Sequence, residues 1–178
     1  MSRSRYKIFK DDETPYFVTA TTVNWLPLFS NPEIAKIIFD SLAFLQQNQR
    51  ISIYAYVLME NHLHLIVSSI LLAKYLAEFK SFTARRCIDY YQSQGNKFIL
   101  NLLKISKLPH RTDRDYQYWQ EGFHPKQIQN EQMLKQKIDY IHQNPVRRGY
   151  VDQEEHWRYS SARNFAGIEG MIDICLFD

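Results

Sequence analysis

Residues 60–67 read Glu-Asn-His-Leu-His-Leu-Ile-Val, two histidines set into an apolar run of strand character. Side chains alternate between the faces of a strand. His62 and His64 therefore share a face with Ile66, while Leu63, Leu65 and Val67 take the other. Two imidazoles on one face, about 7 Å apart along the backbone, can converge on a single ion. Burying two polar rings without partners costs on the order of a few kcal/mol, so each must be bound to something. Two readings stay open on these residues alone: core histidines bonded to backbone or water, or ligands of a metal.

The flanking sequence places this run in a mixed fold. Tyr16 to Val23 is rich in β-branched and aromatic residues and predicts a first strand. Asn31-Pro32-Glu33 is a helix start, with Asn as N-cap, Pro in the first turn and an acid behind it. The helix should reach about Gln49, with Ile34, Ile37, Ile38, Leu42 and Leu45 as its apolar stripe. Ile51 to Met59 and His62 to Ser68 read as strands separated only by Glu60-Asn61, so an antiparallel hairpin is expected. Leu71 to Gln94 has helical spacing and stops at Gly95, with Lys74, Lys80, Arg85 and Arg86 on its polar side. Phe98 to Lys107 predicts a shorter helix, and Tyr116 to Ile128 an extended or irregular stretch. Asn130-Glu131 caps a last long helix, expected to end near Asn144 because Pro145 disfavours continuation. Strands and helices mixed around a local hairpin indicate an α+β domain with an antiparallel sheet. At 178 residues the chain suits one domain, 1–178.

Composition narrows the function only loosely. A net charge of +3 permits nucleic-acid binding without demanding it. Aromatics at 15% suit core packing or stacking on bases equally well. Cys87 and Cys175 form no CxxC pair, which fits a reduced compartment. No stretch reaches membrane-spanning length and Met1–Arg5 lacks the apolar core of a signal peptide. The expectation is a cytoplasmic protein (bacterial cytosol or nucleoid) with no membrane partner.

The last helix carries a second group. Leu134, Ile138 and Ile141 should face the core, leaving Tyr140 off the stripe and Asn144 one turn above it on the same face. A phenol beside a carboxamide suits a nucleophile next to a metal ligand. A half-buried tyrosine and a helix-capping asparagine are the plain alternative. His142 points elsewhere.

Taken together these residues resemble a known family. His62-Leu63-His64 is a His-hydrophobic-His (HUH) motif, and Tyr140-Ile141-His142-Gln143-Asn144-Pro145-Val146 is similar to the segment bearing the catalytic tyrosine of the HUH single-tyrosine transposases. The branch it most resembles is the REP-associated tyrosine transposases. Tyr16-Phe17-Val18-Thr19, Ala55 to Asn61, Trp119-Gln120, Arg147 to Val151 and Trp157 to Ser161 match in the same order. The ordered set spans roughly residues 16 to 163. Relatives carry an Ile-Arg pair where this chain has Ile128-Gln129, and Gln94 to Arg114 has no match.

The resemblance implies a ferredoxin-like α+β fold with the HUH motif on a central strand and the tyrosine on a helix facing it. It implies that His62, His64 and Asn144 bind a divalent metal, Mg²⁺ or Mn²⁺, and that Tyr140 is the nucleophile. The activity implied is cleavage and strand transfer of single-stranded or hairpin DNA through a 5′-phosphotyrosine, in DNA transposition. Free phenols ionise near pH 10, so a phenolate leaves far more readily than an alkoxide and the covalent link is reversible. Glu60 is a candidate to orient a ligand or water behind the metal, or a solvated turn residue. Arg147, Arg148, Lys74, Lys80, Arg85, Arg86, Arg158 and Arg163 are candidate phosphate contacts. Relatives include monomers and homodimers. Two other readings compete. One is a DNA-hairpin-binding protein with dispensable or domesticated catalysis. The other is a zinc hydrolase, disfavoured because no third His or carboxylate stands at ligand spacing.

Overall fold

The computed structural model describes residues 14–176. The elements follow in the order β1 (Tyr16–Thr21), α1 (Pro32–Gln47), β2 (Ser52–Leu58), β3 (His62–Ser68), α2 (Leu72–Ser93), α3 (Lys97–Ile105), β4 (Lys126–Gln127), α4 (Glu131–Arg147) and a short α5 (Ala162–Phe165). The sheet order is β2-β3-β1-β4, and every pairing is antiparallel. The β1-α1-β2-β3-α2-β4 run is thus a split β-α-β arrangement of ferredoxin-like type, with the histidine strand in its interior. The expected α+β class holds. Met1–Arg5 lies outside the described residues.

The alternation read in β3 sorts the molecule into layers. Leu63, Leu65 and Val67 pack into one core with α1 and α2, through Ile34, Ile38, Leu42, Leu76 and Phe79. Ile66 packs into a second core on the opposite face, with Phe17, Ala55, Val57 and the α4 residues Leu134 and Ile141. α4 therefore covers the face that α1 and α2 leave open. The β2–β3 hairpin closes as expected, with Met59 N–H donating to the His62 carbonyl at 2.8 Å. Along the β2 edge Leu58 N–H donates to the Tyr159 carbonyl, and beyond the short β4 pairing Gln120 N–H donates to the Thr21 carbonyl at the end of β1.

Two predicted boundaries are corrected. The first strand ends at Thr21, not Val23, and a 3₁₀ turn follows at Val23–Trp25. The Thr22 hydroxyl, at 2.7 Å from the Leu26 carbonyl and 3.0 Å from the Asn61 carbonyl, folds the chain back there. The last helix does not stop at Asn144 but runs through Pro145 to Arg147. Proline removes one backbone donor, a modest loss so close to the end of a helix. The true stop is Gly149 at φ +72°, where Gly149 N–H reaches the Val146 carbonyl and Tyr150 N–H the Pro145 carbonyl, a glycine C-cap. Asn144 is accordingly inside the helix and buried, not its cap.

Candidate active site

His62 and His64 project from β3 toward α4, with ring centroids 4.7 Å apart. Each ring is held through its Nδ1. His64 Nδ1 lies 2.8 Å from the Thr19 hydroxyl, its register partner on β1. His62 Nδ1 lies 2.6 Å from the Asn61 side-chain oxygen. The Asn61 amide nitrogen donates to the Trp25 carbonyl at 3.3 Å, so the oxygen is left to accept from His62 Nδ1–H. That arrangement fixes the tautomer and leaves His62 Nε2 with a free lone pair. His64 Nε2 is buried and has no hydrogen-bond partner. Phe17 stacks on the His64 ring at 5.2 Å and secures its plane.

Burial pushes both histidines below their ordinary pKa. His64 falls to about 3, helped by the neighbouring His62 and by Lys137. His62 is lowered by burial and by Arg148, against the opposing charge of Glu60. Neutral imidazoles are the form that binds a cation. An orphaned, buried His64 Nε2 is therefore what a divalent ion at this place would satisfy, and the residues fit such an ion. Among the described residues no three of His, Cys, Asp and Glu gather at one point. A further protein donor beside the two histidines would have to be an amide or phenol oxygen. Asn144, in α4, offers a buried carboxamide. Glu60 meets Arg148 at 3.5 Å through one oxygen, and its other oxygen is buried without a partner.

Tyr140 comes to the same place from α4. Its ring lies edge-on to His64, with centroids 5.4 Å apart, and edge-on to Phe17 at 5.9 Å. It stays 38% exposed, which leaves it open to a large substrate. Two cations flank it: Lys137 Nζ at 5.7 Å and Arg147 at 5.6 Å from the ring centre. One chain thus supplies both histidines and the tyrosine. Thr19, Asn61, Phe17 and Lys137 were not read as site residues from the sequence. Lys137 sits three residues before Tyr140, a spacing that would have flagged it. Thr19 is visible only once the β1–β3 register is known.

His142 is buried away from this cluster, with Nε2 2.9 Å from the Ser161 hydroxyl and its ring against Phe165. The basic residues divide. Arg147 and Arg148 end α4 beside Tyr140 and Glu60. Lys74, Lys80, Arg85 and Arg86 lie on α2, which packs on the other face of the sheet. Lys80 donates to the Gln120 and Gly122 carbonyls at 2.5 and 3.1 Å and lies over the Phe123 ring, and burial lowers it to about 8. It lines a cleft of about 970 Å³ between α2 and residues 111–123 that includes neither histidine nor Tyr140. Lys74 and Arg85 face Glu78 and Asp89 at 4.0 and 3.1 Å. Arg163 Nε donates to the Glu169 carbonyl at 2.9 Å, and Arg158 lies between the 3₁₀ turn Glu154–His156 and α5. No described helix is long and apolar enough to cross a membrane.

No protein-family profile matches the chain. A Haemophilus influenzae (strain ATCC 51907 / DSM 11121 / KW20 / Rd) protein whose name places it among the REP-associated tyrosine transposases is 40% identical over 48 residues, 27% of this chain and 27% of that protein. The match therefore spans about a quarter of that relative's length. A solved structure of a REP-associated tyrosine transposase bound to a REP hairpin aligns with 100% of this chain and 96% of its own, at TM-score 0.65 and 20% identity. At that identity the likeness is one of fold. The resemblance to the HUH transposases thus holds in sequence over a short stretch and in fold over the whole chain.

Proposed function

We propose that the chain is a REP-associated tyrosine transposase that cuts and rejoins hairpin-bearing single-stranded DNA, with Tyr140 as the nucleophile. The observation that carries this is the edge-on approach of Tyr140 to His64, 5.4 Å between rings, with the His62 ring 4.7 Å from that of His64 and the buried His64 Nε2 left without a hydrogen-bond partner. The solved relative that shares the fold is bound to a REP hairpin, which supports the same class of substrate here.

In the proposed step the Tyr140 Oη–phosphorus bond forms as the phosphorus–O3′ bond breaks. The phenol gives up its proton and the departing 3′ oxygen takes one up. The products are a 5′-phosphotyrosine on Tyr140 and a free 3′-OH, with no water or nucleotide consumed. Attack by a 3′-OH runs the step in reverse and frees Tyr140, so one strand can be exchanged for another. His62, His64 and Asn144 would hold a divalent cation, Mg²⁺ or Mn²⁺. The cation, when bound, supplies Lewis-acid polarisation of a non-bridging phosphate oxygen. Burial keeps the two imidazoles neutral, and Thr19 and Asn61 hold their orientation. Lys137 and Arg147 keep positive charge beside the phenol, where an anionic phosphate must approach. Phe17 holds the edge of the Tyr140 ring against rotation.

The test is a denaturing gel of end-labelled hairpin DNA incubated with the protein and Mn²⁺ or Mg²⁺. A covalent adduct is expected with the wild type, and none with Tyr140→Phe or with chelator. An adduct that persists in Tyr140→Phe removes Tyr140 as nucleophile. Tight hairpin binding with no adduct under any divalent ion would favour a binding protein with dispensable catalysis.

A further inference from the structure

The 3₁₀ turn after β1 holds an aromatic residue that the proposed chemistry does not use. Asn24 and Trp25 both adopt left-handed backbone conformations, φ 49° and 57°. In a bulky residue this is a true outlier, and such strain persists only where the surroundings impose it. Burial of the indole does not offset it, because Trp25 is 59% exposed. The turn is instead fixed from below. Buried Thr22 binds the Leu26 and Asn61 carbonyls, and the Asn24 amide donates to the Ser106 hydroxyl just past α3 at 2.9 Å. The Trp25 carbonyl accepts from Asn61, whose oxygen holds His62. One side chain therefore links the backbone that presents the indole to a candidate metal ligand. The helix that ends at Ser106, α3, carries Lys97 and Lys104 and no Asp or Glu.

We infer that Trp25 is a stacking platform for an unpaired base of the DNA strand that enters the His62–Tyr140 site. A flat, neutral, exposed ring accepts any base on its π-face, and nearby lysines suit the phosphates that follow. Ser106 becomes the mooring of that platform. This inference rests on the DNA-processing reading above.

Fluorescence anisotropy on the full chain tests it with two probes. One is a hairpin whose single-stranded flank is randomised; the other is the same hairpin with an abasic flank. The wild type should bind the base-bearing probe roughly 5- to 150-fold more tightly than the abasic one, the span of one base–aromatic stack. Trp25→Ala should bind both at the abasic level, and Trp25→Phe should stay within a few-fold of wild type. The base-bearing probe should also quench the indole emission of the wild type, an effect lost in Trp25→Phe although binding remains. A Trp25→Ala variant that keeps the wild-type preference overturns the inference. So does a wild type that binds the stem but is indifferent to the flanking bases, and in both cases the transposase reading stands. A wild type that binds neither probe overturns that reading, and this inference with it.

Discussion

The two faces of the sheet are made of the same strands and do different things. On the α1–α2 face β3 contributes Leu63, Leu65 and Val67 to a continuous core of aliphatic and aromatic residues. On the α4 face, one residue out of step, it contributes His62 and His64, and the apolar cluster is small. The first face buries a thiol and phenols, which burial raises. Cys87 is pushed up to about 12, and Tyr91 and Tyr118 rise above the usual phenol range. On the second face burial lowers His62, His64 and His142. Near neutrality both sets are uncharged, which is the state each interior tolerates. The difference teaches that stability is drawn mainly from one face, leaving the other free to bury polar groups that chemistry requires.

Neighbouring substitutions on β3 can break this division. Under the proposed function, His64→Ala should lower cleavage by about 100- to 1000-fold, since it would remove a ligand of the proposed Lewis acid, at a stability cost of only about 1–2 kcal/mol. Leu65→Ala, one residue on and facing the other way, should cost about 2–5 kcal/mol in urea unfolding with little change in cleavage per folded molecule. Equal stability losses at the two positions would abolish the contrast. Thr19→Val removes the hydroxyl at His64 Nδ1 and should weaken Mn²⁺ binding about 10- to 100-fold by calorimetry, with the fold intact.

Acid sharpens the comparison. Unfolded histidines take up protons near pH 6.5, whereas buried His142 does so only at about 4. Its contribution is complete above pH 6.5 and is lost as pH falls toward 4, on the order of 2–3 kcal/mol. Urea unfolding at pH 7.5 and 4.5 should show that loss in the wild type and a smaller one in His142→Gln. Alkali acts on the other face: a raised thiol stabilises below its unfolded pKa of 9.0, and that contribution disappears as pH climbs toward 12. The smallest effect belongs to the rim. Arg148→Ala should change stability by about 1 kcal/mol or less, because the guanidinium in its 3.5 Å pair with Glu60 is half exposed.

Much of this was legible along the chain. Alternation in residues 62–68 assigned each side chain to its face, and the Asn31 and Asn130 caps placed both helix starts, each side chain accepting from an early backbone N–H. The helical stripe of Leu134 and Ile141 put Tyr140 off the core centre. The end of α4 was misread because Pro145 was weighed by its local penalty. The capping hydrogen bonds at Gly149, and a buried Pro145, decided otherwise. The α2 cations showed a polar helix face, but not that the sheet stands between that helix and Tyr140.

The sequence by itself determined periodicity, and with it the element types, the two-sidedness of β3 and the chemical kinds of residue present. Periodicity is local, set by backbone geometry over a few residues. The tertiary structure decided which residues meet. His64 finds Thr19 across 45 positions through strand register, and Tyr140 reaches His64 because α4 crosses the open face of the sheet. Trp25 is tied to His62 only through Asn61, by a turn whose strain no propensity scale foretells. Those meetings depend on the packing of distant segments, which no local pattern contains.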